Sequence, residues 1–495
     1  MANVTGKDTL IATNTIVKAS IKFSELIDIE GTSLGLDDIV VYYGDVNESG
    51  MFIVEADFNF IDSNCDVNML GVSESSTACL LLYDRTGVLS PDNEDSPYYS
   101  TLINGVHVKI EINDHEENNT PVWEPYGEWY ITSVTSELAD GEYQPLRICL
   151  QDRLNILGDM EITNDEGELA AISGVTAAEI LDGVLSNIKW LGVNLESGVD
   201  YVIDSAITAM DDAIFGVTSG SKVRDIINNV CRTCLARAYI RLDGKLYIEK
   251  YNKKHTSNTW IVDGMTAIHS INNSNALYSS VCVKYYNRKR TASELIASYD
   301  LPDIPDQESE LVLDGTNIIF VPFNKSVASI DRIETYVPMG EDENQDENAT
   351  LTVTKWTGWS NGCYIETENS TEDEELLDCR IDVYGHVPVG QPKLSNVYPI
   401  NDAVVTATNS VLYYVSDQIL TKSDANKLAR RIATYFKNEM RKKTMNDTIY
   451  SMKMCIGDKL VLQGVNSNFN GDYRITGVSI SLGETYSLSL ELVNA

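Results

Sequence analysis

Several signals that would place this protein in a familiar class are missing from its 495 residues. No stretch approaches the run of about 18 apolar residues that can cross a membrane. The N-terminal residues 1–8 lack the apolar core of a signal peptide. We therefore expect a protein that is made in a cytoplasm, has no membrane span and is not secreted by a standard route.

Positive charge is scarce as well. The chain has 37 lysines and arginines against 74 aspartates and glutamates, which gives a net charge of −37. This imbalance argues against binding to a phosphate backbone or to an anionic membrane. It is typical of a protein that keeps exposed sheet edges soluble, so we expect no specificity for nucleic acid.

Signals for catalysis and cofactors are absent too. The sequence contains no Gly-x-Ser-x-Gly elbow, no phosphate-binding loop that ends in Lys-Ser/Thr, and no Gly-x-Gly-x-x-Gly after a strand. Its carboxylates are too abundant for a glycosidase pair to be identified. The five histidines show no paired spacing for a metal or a triad, and they lie at positions 107, 115, 255, 269 and 386. We predict a protein that is not an enzyme and has no cofactor.

Two partial matches to metal sites are better explained by structure. Cys231 and Cys234 have the spacing of a zinc knuckle, but no second pair completes a tetrahedral site, so helix-face core packing is favoured. Residues 45–50 match the first half of a calcium loop, yet Ala56 stands where a bidentate Glu is required. We predict a hairpin there, with an adventitious calcium left open. The nine cysteines, at 65, 79, 149, 231, 234, 282, 363, 379 and 455, are expected to be reduced, buried small side chains.

The most informative feature that is present is a stretch that occurs twice. GEWYITSV at 127–134 and GDYRITGV at 471–478 share a pattern of Gly, acid, aromatic, any, Ile, Thr, any, Val. The shared residues are Gly127, Trp129, Ile131, Thr132 and Val134 in the first copy, and Gly471, Tyr473, Ile475, Thr476 and Val478 in the second. Alternating segments follow at 146–150 and 486–490, and Gly-led segments precede at 105–110 and 457–462. The pattern predicts a repeated antiparallel meander, although two hairpins that are alike by chance remain an alternative.

The order of elements predicts four domains. Residues 1–158 read as a first β-barrel, and 159–272 read as an α+β domain with two helices and an Asp243-Gly244 hairpin. Residues 273–415 read as a β-rich domain with acidic insertions at 341–347 and 371–375. Residues 416–495 combine a helix over about 423–440 with the second copy of the meander, which completes a second barrel. The expected fold class is mainly β with α+β parts.

Helix signals in this plan are local. Thr176 and Glu179 form a capping box before the first helix, and apolar residues at three- and four-residue spacing after Ser221 predict the second. The third helix and its continuation carry the densest basic cluster, at Lys427, Arg430, Arg431, Lys437, Arg441, Lys442 and Lys443. Either a solvated face or a docking surface for an acidic partner or neighbouring subunit explains that cluster.

On these residues the chain resembles the baseplate hub or tail-tip proteins of long-tailed bacteriophages. The resemblance rests on the order of the first GEWYITSV stretch, the sequence LQDRL at 150–154, the capped helix, the AYIRLDGKLYI hairpin at 238–248, and the IGDKL strand entry at 456–460. It implies two related small β-barrel domains and two smaller α/β domains per subunit, assembled as a ring-like trimer. The implied role is structural, since the trimer closes the tail tube and adapts a sixfold ring to a threefold tip.

The same resemblance implies the partners and the location. These are a distal tail or adaptor ring protein, the C-terminus of the tape measure protein, and a tip, puncturing or fibre protein, all in the virion tail. Because the sequence stops at Ala495 soon after the second copy, we expect any peptidoglycan-cleaving or adhesin activity to lie on a separate partner.

Two other functions stay open at this stage. A cell-wall hydrolase would need an acid pair or a Cys/His site in a cleft. A glycan-binding adhesin could use tryptophans as sugar platforms, at positions 123, 129, 260, 356 and 359, although burial in a core explains most of them better.

Overall fold

A computed structural model of the chain provides the three-dimensional description. It describes residues 17–26, 33–45, 47, 50–61, 71–73, 75–99, 105–117, 120–136, 144–160, 177–190, 193–209, 222–251, 255–263, 267–272, 278–300, 316–325, 327, 329–336, 351–359, 362–369, 380–400, 410–416, 419, 421–439, 441–447, 452–463, 469–483 and 487–494. Several expectations lie outside these residues: the capping Thr176, the two acidic insertions, Cys65 and Cys379, and the side chains of His115, His269 and Trp359.

The N-terminal third is built of strands, as its alternating residues predict. The strands are β1 (Val17–Ile21), β2 (Ile39–Tyr42), β3 (Met51–Ile61), β4 (Thr77–Asp84), β5 (His107–Glu117), β6 (Thr120–Ser136) and β7 (Gln144–Asp152). Alternate residues of β3 and β4 are buried, which is the period expected of strands with one face on a core.

The next segment alternates helices with short strands. It contains α1 (Arg153–Asp159), α2 (Ala177–Ser186), β8 (Lys189–Trp190), β9 (Val193–Asn194), β10 (Tyr201–Ile203), α3 (Val223–Cys234), β11 (Ala236–Ile240), β12 (Leu246–Lys250), β13 (His255–Asp263) and β14 (Ala267–Asn272). Both predicted helices are therefore present, and the second ends with Leu235 in the left-handed conformation (φ 52°).

The remainder returns to strands around one long helix. It contains β15 (Ser280–Arg290), β16 (Glu294–Asp300), β17 (Thr316–Pro322), β18 (Ser329–Tyr336), β19 (Leu351–Trp359), β20 (Gly362–Asn369), β21 (Arg380–His386), β22 (Pro388–Leu394), β23 (Tyr398–Pro399), β24 (Val411–Ser416), α4 (Lys422–Glu439), β25 (Arg441–Asp447), β26 (Asp458–Gln463), β27 (Gly471–Leu482) and β28 (Ser487–Asn494). The predicted mainly β class with α+β parts is confirmed.

One 13-stranded sheet carries both copies of the repeated stretch. Its main order is β14-β25-β28-β27-β3-β4-β7-β6-β5-β1-β2, and β26 joins β27 at one side and β13 at the other. The residue after β2, Tyr43, forms a single parallel bridge with Ile53 of β3, and Gly44 N donates to Ile53 O at 2.9 Å. Among the described residues no ladder closes either sheet, so the two barrels expected from the sequence are not confirmed as closed units.

Three apolar clusters support these sheets. The largest strand cluster packs beneath the 13-stranded sheet and includes side chains from both ends of the chain, such as Phe58, Trp129, Leu460 and Tyr473. A second cluster gathers the four helices with β15 and β24. A third, smaller cluster lies among β16 to β21. Residues far apart in sequence therefore share a core, which is the physical link between the first and last strands. No helix in the described part of the chain is long and apolar enough to cross a membrane.

The Asp243-Gly244 turn joins β11 to β12 as predicted, but by a different loop. An Asp-Gly pair between two strands is typical of a two-residue turn with positive φ at both central positions. In the structure Gly244 has a φ of +76°, and it is not accompanied by a positive φ at Asp243. Gly244 N donates to Arg241 O, and Arg241 N donates to Lys245 O. These bonds define a three-residue loop in which only the last position needs glycine.

Asp152 is the last residue of β7 and the N-cap of α1. It is fully buried, and its carboxylate accepts hydrogen bonds from Leu154 N (3.0 Å) and Ser76 N (2.7 Å). Burial raises the pKa of Asp152 to about 7, which is well above its ordinary value of 3.8. The folded chain therefore holds a proton here that the unfolded chain releases as the pH rises between these values.

This shift gives a pH-dependent prediction. Because the folded-state pKa is the higher one, the contribution of Asp152 to stability falls as the pH rises from about 4 to about 7, and it is constant above that. The variant Asp152→Asn does not titrate. We expect the thermal midpoint of the wild type, relative to the variant, to be higher at about pH 5 than at about pH 8. An equal difference at both pH values would contradict the assignment.

Candidate functional site: the paired meanders

The repeated stretch forms two meanders that share strand order. The first meander is β5, β6 and β7, and the second meander is β26, β27 and β28. Each continues through further antiparallel strands, so the sets β5-β6-β7-β4-β3 and β26-β27-β28-β25-β14 have the same sequence of neighbours. We call these the first and second five-strand sets. The alternating residues along each strand produce this order by burying one face.

The strand registers of the two meanders also match. Val108 pairs with Trp129 in the first, and Leu460 pairs with Tyr473 in the second. Just before each of these entry strands stands a glycine of positive φ, Gly105 (+100°) and Gly457 (+86°). Gly105 N donates to Ile131 O at 2.7 Å, and Gly457 N donates to Ile475 O at 2.9 Å. The same backbone bond therefore closes both turns.

Each meander has a bulge at the shared threonine. The register between β6 and β7 shifts between Ile131 and Ser133, and the register between β27 and β28 shifts between Ile475 and Gly477. The skipped residue is Thr132 in one and Thr476 in the other. A bulge bends its strand and increases the twist, so both strands turn at the same point.

The threonine hydroxyls make the same contact. Thr132 Oγ1 donates to Cys149 O at 3.1 Å, and Thr476 Oγ1 donates to Glu491 O at 3.2 Å. In each case the acceptor belongs to the residue paired with the position just after the bulge. The Ile-Thr pair of the repeat is therefore the part of the pattern that fixes the bulge.

The aromatic residue of each repeat donates a hydrogen bond to a backbone carbonyl three or four residues before it. Trp129 is 1% exposed and its Nε1 donates to Tyr126 O at 2.8 Å. Tyr473 is 2% exposed and its hydroxyl donates to Phe469 O at 2.7 Å. A side chain at Gly127 would stand 3.0 Å from Trp129 Nε1, so the small residue leaves room for the ring.

One detail of the sequence comparison differs from the structure. The alternating segment 146–150 was compared with 486–490, but the pairings place Leu150 opposite Ile131 and Leu492 opposite Ile475. The matching segment is therefore 488–492. The two connections before the third strand differ in length, and a comparison without gaps could not detect this.

The two meanders are joined directly within one chain. The second half of β27 pairs with β3, which belongs to the first five-strand set, over Gly477 to Leu482 and Ala56 to Ile61. Side chains support this join, since Ser479 Oγ contacts Asn59 Oδ1 at 2.8 Å. In β6, the segment that corresponds to the second half of β27 is Ser133 to Ser136. It pairs with β7 on one side, and no strand among the described residues pairs with its other side.

The tip of the β11–β12 hairpin contacts both meanders. In the first meander, Gly127 N donates to Leu242 O of the hairpin at 3.0 Å. On the second, Arg241 donates to Asp458 Oδ1 at 2.9 Å, and Trp260 Nε1 donates to Asp458 Oδ2 at 3.0 Å. Asp458 is fully buried, and burial raises its pKa, whereas the contacts with Trp260 and Arg241 lower it. The hairpin therefore links the two meanders, through a backbone hydrogen bond to the first and an ion pair with the buried Asp458 of the second.

A second buried polar group lies beside this link. Tyr239 OH donates to Glu249 Oε2 at 2.9 Å, and His255 Nε2 lies 3.0 Å from the same carboxylate. Burial would raise the pKa of Glu249, but the bond to His255 and the nearby Arg237 hold it at about 2. This arrangement of acid, histidine and tyrosine was not found from the sequence, because its members come from three strands. Its members are mostly enclosed, so we assign it to the packing of β11 and β12 against the second meander.

The other candidate residues occupy structural positions. Cys231 and Cys234 are buried on α3, as core packing predicted, and burial raises the pKa of both thiols. Of residues 45–50, positions 46, 48 and 49 lie outside the described residues, and the described strands on either side, β2 and β3, are not paired with each other as the predicted hairpin requires. Asn47 Oδ1 accepts a hydrogen bond from Met51 N, and Asn47 Nδ2 donates to Val40 O. Among the residues that the structure describes, no three His, Cys, Asp or Glu side chains gather as a metal site.

Several of the tryptophans and of the residues in the basic cluster make contacts within the chain. Trp129 and Trp260 are buried, while Trp356 is 42% exposed. Lys427 bonds to Asp424, and Arg430 lies over the ring of Tyr398 at 5.1 Å. Lys443 is buried against Tyr473 and bonds to its hydroxyl. The side chains of Lys437, Arg441 and Lys442 lie outside the described residues.

Comparison with solved structures returns tail proteins. A tail protein of prophage MuSo2 from Shewanella oneidensis matches with a TM-score of 0.45 and 9% identity, over 89% of this chain and 94% of that one. A tail protein from Neisseria meningitidis matches with a TM-score of 0.47 and 8% identity, over 97% of both chains. A type VI secretion system component of E. coli matches with a TM-score of 0.37 and 8% identity, over 91% of this chain and 75% of that one. These matches include bacteriophage tail proteins, the class that the sequence resembles. No protein-family model and no curated protein matches the chain.

Proposed function

We propose that this chain is a structural hub subunit of a bacteriophage tail, three copies of which close the tail tube. The observation that carries the proposal is the join of β27 to β3, which connects two like five-strand sets within one chain. The sequence resemblance stated above supports the same role.

The join inside the chain provides a template for a join between chains. In the second five-strand set, β14 has the place that β3 has in the first, and β14 ends the sheet among the described residues. The second half of β6 has the place of the second half of β27. Pairing β6 of one copy with β14 of the next repeats the internal junction, since exposed strand edges are templates for further pairing.

The matched registers specify which residues meet. Val478 pairs with Phe60 and Ser479 with Asn59 inside the chain. Transferring this register through the paired strands places Val134 opposite Asn272, Thr135 opposite Ile271, and Ser136 opposite Ser270 of the neighbouring copy. The contact is head-to-tail, and such contacts form a closed ring when the rotation between copies allows it.

A ring of three copies contains six five-strand sets. If the junction between copies is like the junction inside each chain, every five-strand set is related to the next by the same rotation about the ring axis. The ring then has nearly sixfold symmetry, although it contains three subunits. One face then fits a sixfold adaptor ring of the tail. The other face presents a threefold platform to a tip or fibre protein, and the axis accommodates the end of the tape measure protein. In this role the protein acts by its geometry and needs no catalytic group.

Native mass spectrometry tests the assembly. We expect the mass of a trimer, either for the purified chain alone or after mixing with its adaptor ring protein. A chain that stays monomeric under both conditions would contradict the proposed hub.

A further inference from the structure

Two cysteines lie opposite each other on the exposed face of the sheet. Cys79 on β4 and Cys149 on β7 are partners in the antiparallel register. Their Sγ atoms are 3.8 Å apart, and both side chains are half-buried. The other described cysteines are buried. This pair therefore departs from the expectation that all nine cysteines are buried small side chains.

The backbone already has the spacing that a disulfide requires. Residues directly opposite in an antiparallel pair have Cα atoms about 4.5 to 5.5 Å apart, which falls within the range of about 4.4 to 6.8 Å for disulfide-linked residues. The neighbouring residues Ala78, Leu80, Ile148 and Leu150 point to the core. Both thiols therefore point to the same outer face, and only a side-chain adjustment separates them from bonding distance.

The pair is also open to small reagents. Both cysteines line a groove of about 470 Å³ on this face, together with the small polar side chains of Thr77, Thr132 and Ser479. The guanidinium of Arg147 lies 3.5 Å from Cys79 Sγ, where it favours the thiolate, while burial raises the pKa of Cys79.

We propose that Cys79 and Cys149 are a site of reversible oxidation that closes to a cross-strand disulfide. A low-molecular-weight disulfide is the oxidant. One cysteine thiolate attacks a sulfur of that disulfide and releases one small thiolate. The second cysteine thiolate then attacks the protein sulfur of the mixed disulfide and releases the other small thiolate. The two protein thiols thus lose two protons and two electrons, and the oxidant becomes two thiols.

Closing this bond links β4 to β7 at the centre of the first five-strand set. It encloses a chain segment with a sequence separation of 70 residues. A crosslink over a segment of this length restricts the unfolded chain strongly, so the oxidised form is the more stable one. The site is a means of strengthening the sheet when the protein leaves a reducing compartment.

The test is oxidation of the purified chain with glutathione disulfide at mildly alkaline pH, followed by alkylation, trypsin digestion and mass spectrometry. We expect the peptide 148–153 to be linked to the peptide 23–85, with the loss of two hydrogen atoms. Because peptide 23–85 also contains Cys65, the variant Cys65→Ser is the matched control and must keep the link, whereas Cys79→Ser and Cys149→Ser must lose it. The thermal midpoint of the oxidised protein should rise by roughly 5 °C or more.

Three results would overturn the proposal. In the first, both thiols remain alkylatable after oxidation. In the second, oxidation gives a mixed disulfide with glutathione and no internal link. In the third, the link disappears in the Cys65→Ser variant. Circular dichroism of each serine variant shows whether its fold is retained, so a lost link in a folded variant can be assigned to the missing sulfur.

Discussion

Replacing Trp129 with alanine is expected to destabilise the first meander by about 3–5 kcal/mol, the range for truncating a large buried aromatic residue. The side chain is 1% exposed, and its ring lies 5.5 Å from Phe60 and 6.0 Å from Phe58, measured between ring centroids. Its Nε1 also donates to Tyr126 O. The substitution therefore creates a cavity and removes a buried hydrogen bond at the turn that begins the repeat.

Hydrogen exchange of the β7 amides measures this effect locally, because it reports the opening of this part of the sheet separately from the rest of the chain. The matched control is Trp123→Ala on the same strand, where the side chain is half-buried and lies 6.0 Å from Tyr42 between ring centroids. We expect the control to cost less than half as much. Equal losses for the two variants would show that Trp129 does not hold the turn.

Replacing Asp458 with alanine is expected to have an effect of similar size on the second meander. Asp458 is fully buried and accepts hydrogen bonds from Arg241, Trp260 and Cys455 N. Removing the carboxylate leaves the Arg241 charge without this buried partner, which costs about 3–5 kcal/mol in comparable cases. Hydrogen exchange of the β26 amides and of the β11–β12 hairpin should both increase, since the residue links them.

The variant Asp458→Asn separates charge from hydrogen bonding. Its side-chain oxygen can still accept from Trp260 or Cys455 N, but it no longer neutralises Arg241. We expect Asp458→Asn to destabilise the second meander, but by less than Asp458→Ala does. If alanine and asparagine cost nothing, the hairpin is held by its other contacts and the proposed link is wrong.

Local patterns explain why much of the fold could be predicted. Alternation predicted β3, β4 and β27, and three- and four-residue spacing predicted α2, α3 and α4, because each pattern reflects which face of an element is buried. Glycine marked the register shift at Gly127 and the turns at Gly244 and Gly457, and all three residues have positive φ.

Features that depend on long-range contacts were out of reach. The join of β27 to β3 connects residues more than 400 positions apart and leaves no local pattern. The same is true of the Asp458 ion pair and of the Cys79–Cys149 pair, whose members occur on separate strands. The bulges at Thr132 and Thr476 were visible only as a shared Ile-Thr, which does not by itself reveal a register shift.

The most direct measurement of the proposed ring is a disulfide between subunits. Thr135 is exposed on β6, and the transferred register places it opposite Ile271 of the next copy. In the order of the 13-stranded sheet, six strands separate β6 from β14 of the same chain, so the two strands are not paired within one chain. The double variant Thr135→Cys, Ile271→Cys therefore reports contacts between copies.

The matched control is the double variant Ser133→Cys, Ile271→Cys. Ser133 is exposed on the same face of β6 as Thr135, but it lies two residues away from the position that the transferred register places opposite Ile271. Such diagonal neighbours are about 7–8 Å apart, which is too far for a disulfide. After mild oxidation, we predict that the in-register variant gives covalent dimers and trimers and nothing larger on a non-reducing gel, while the control stays monomeric. No crosslinking, equal crosslinking of the control, or a ladder extending beyond the trimer would contradict a closed ring of three subunits.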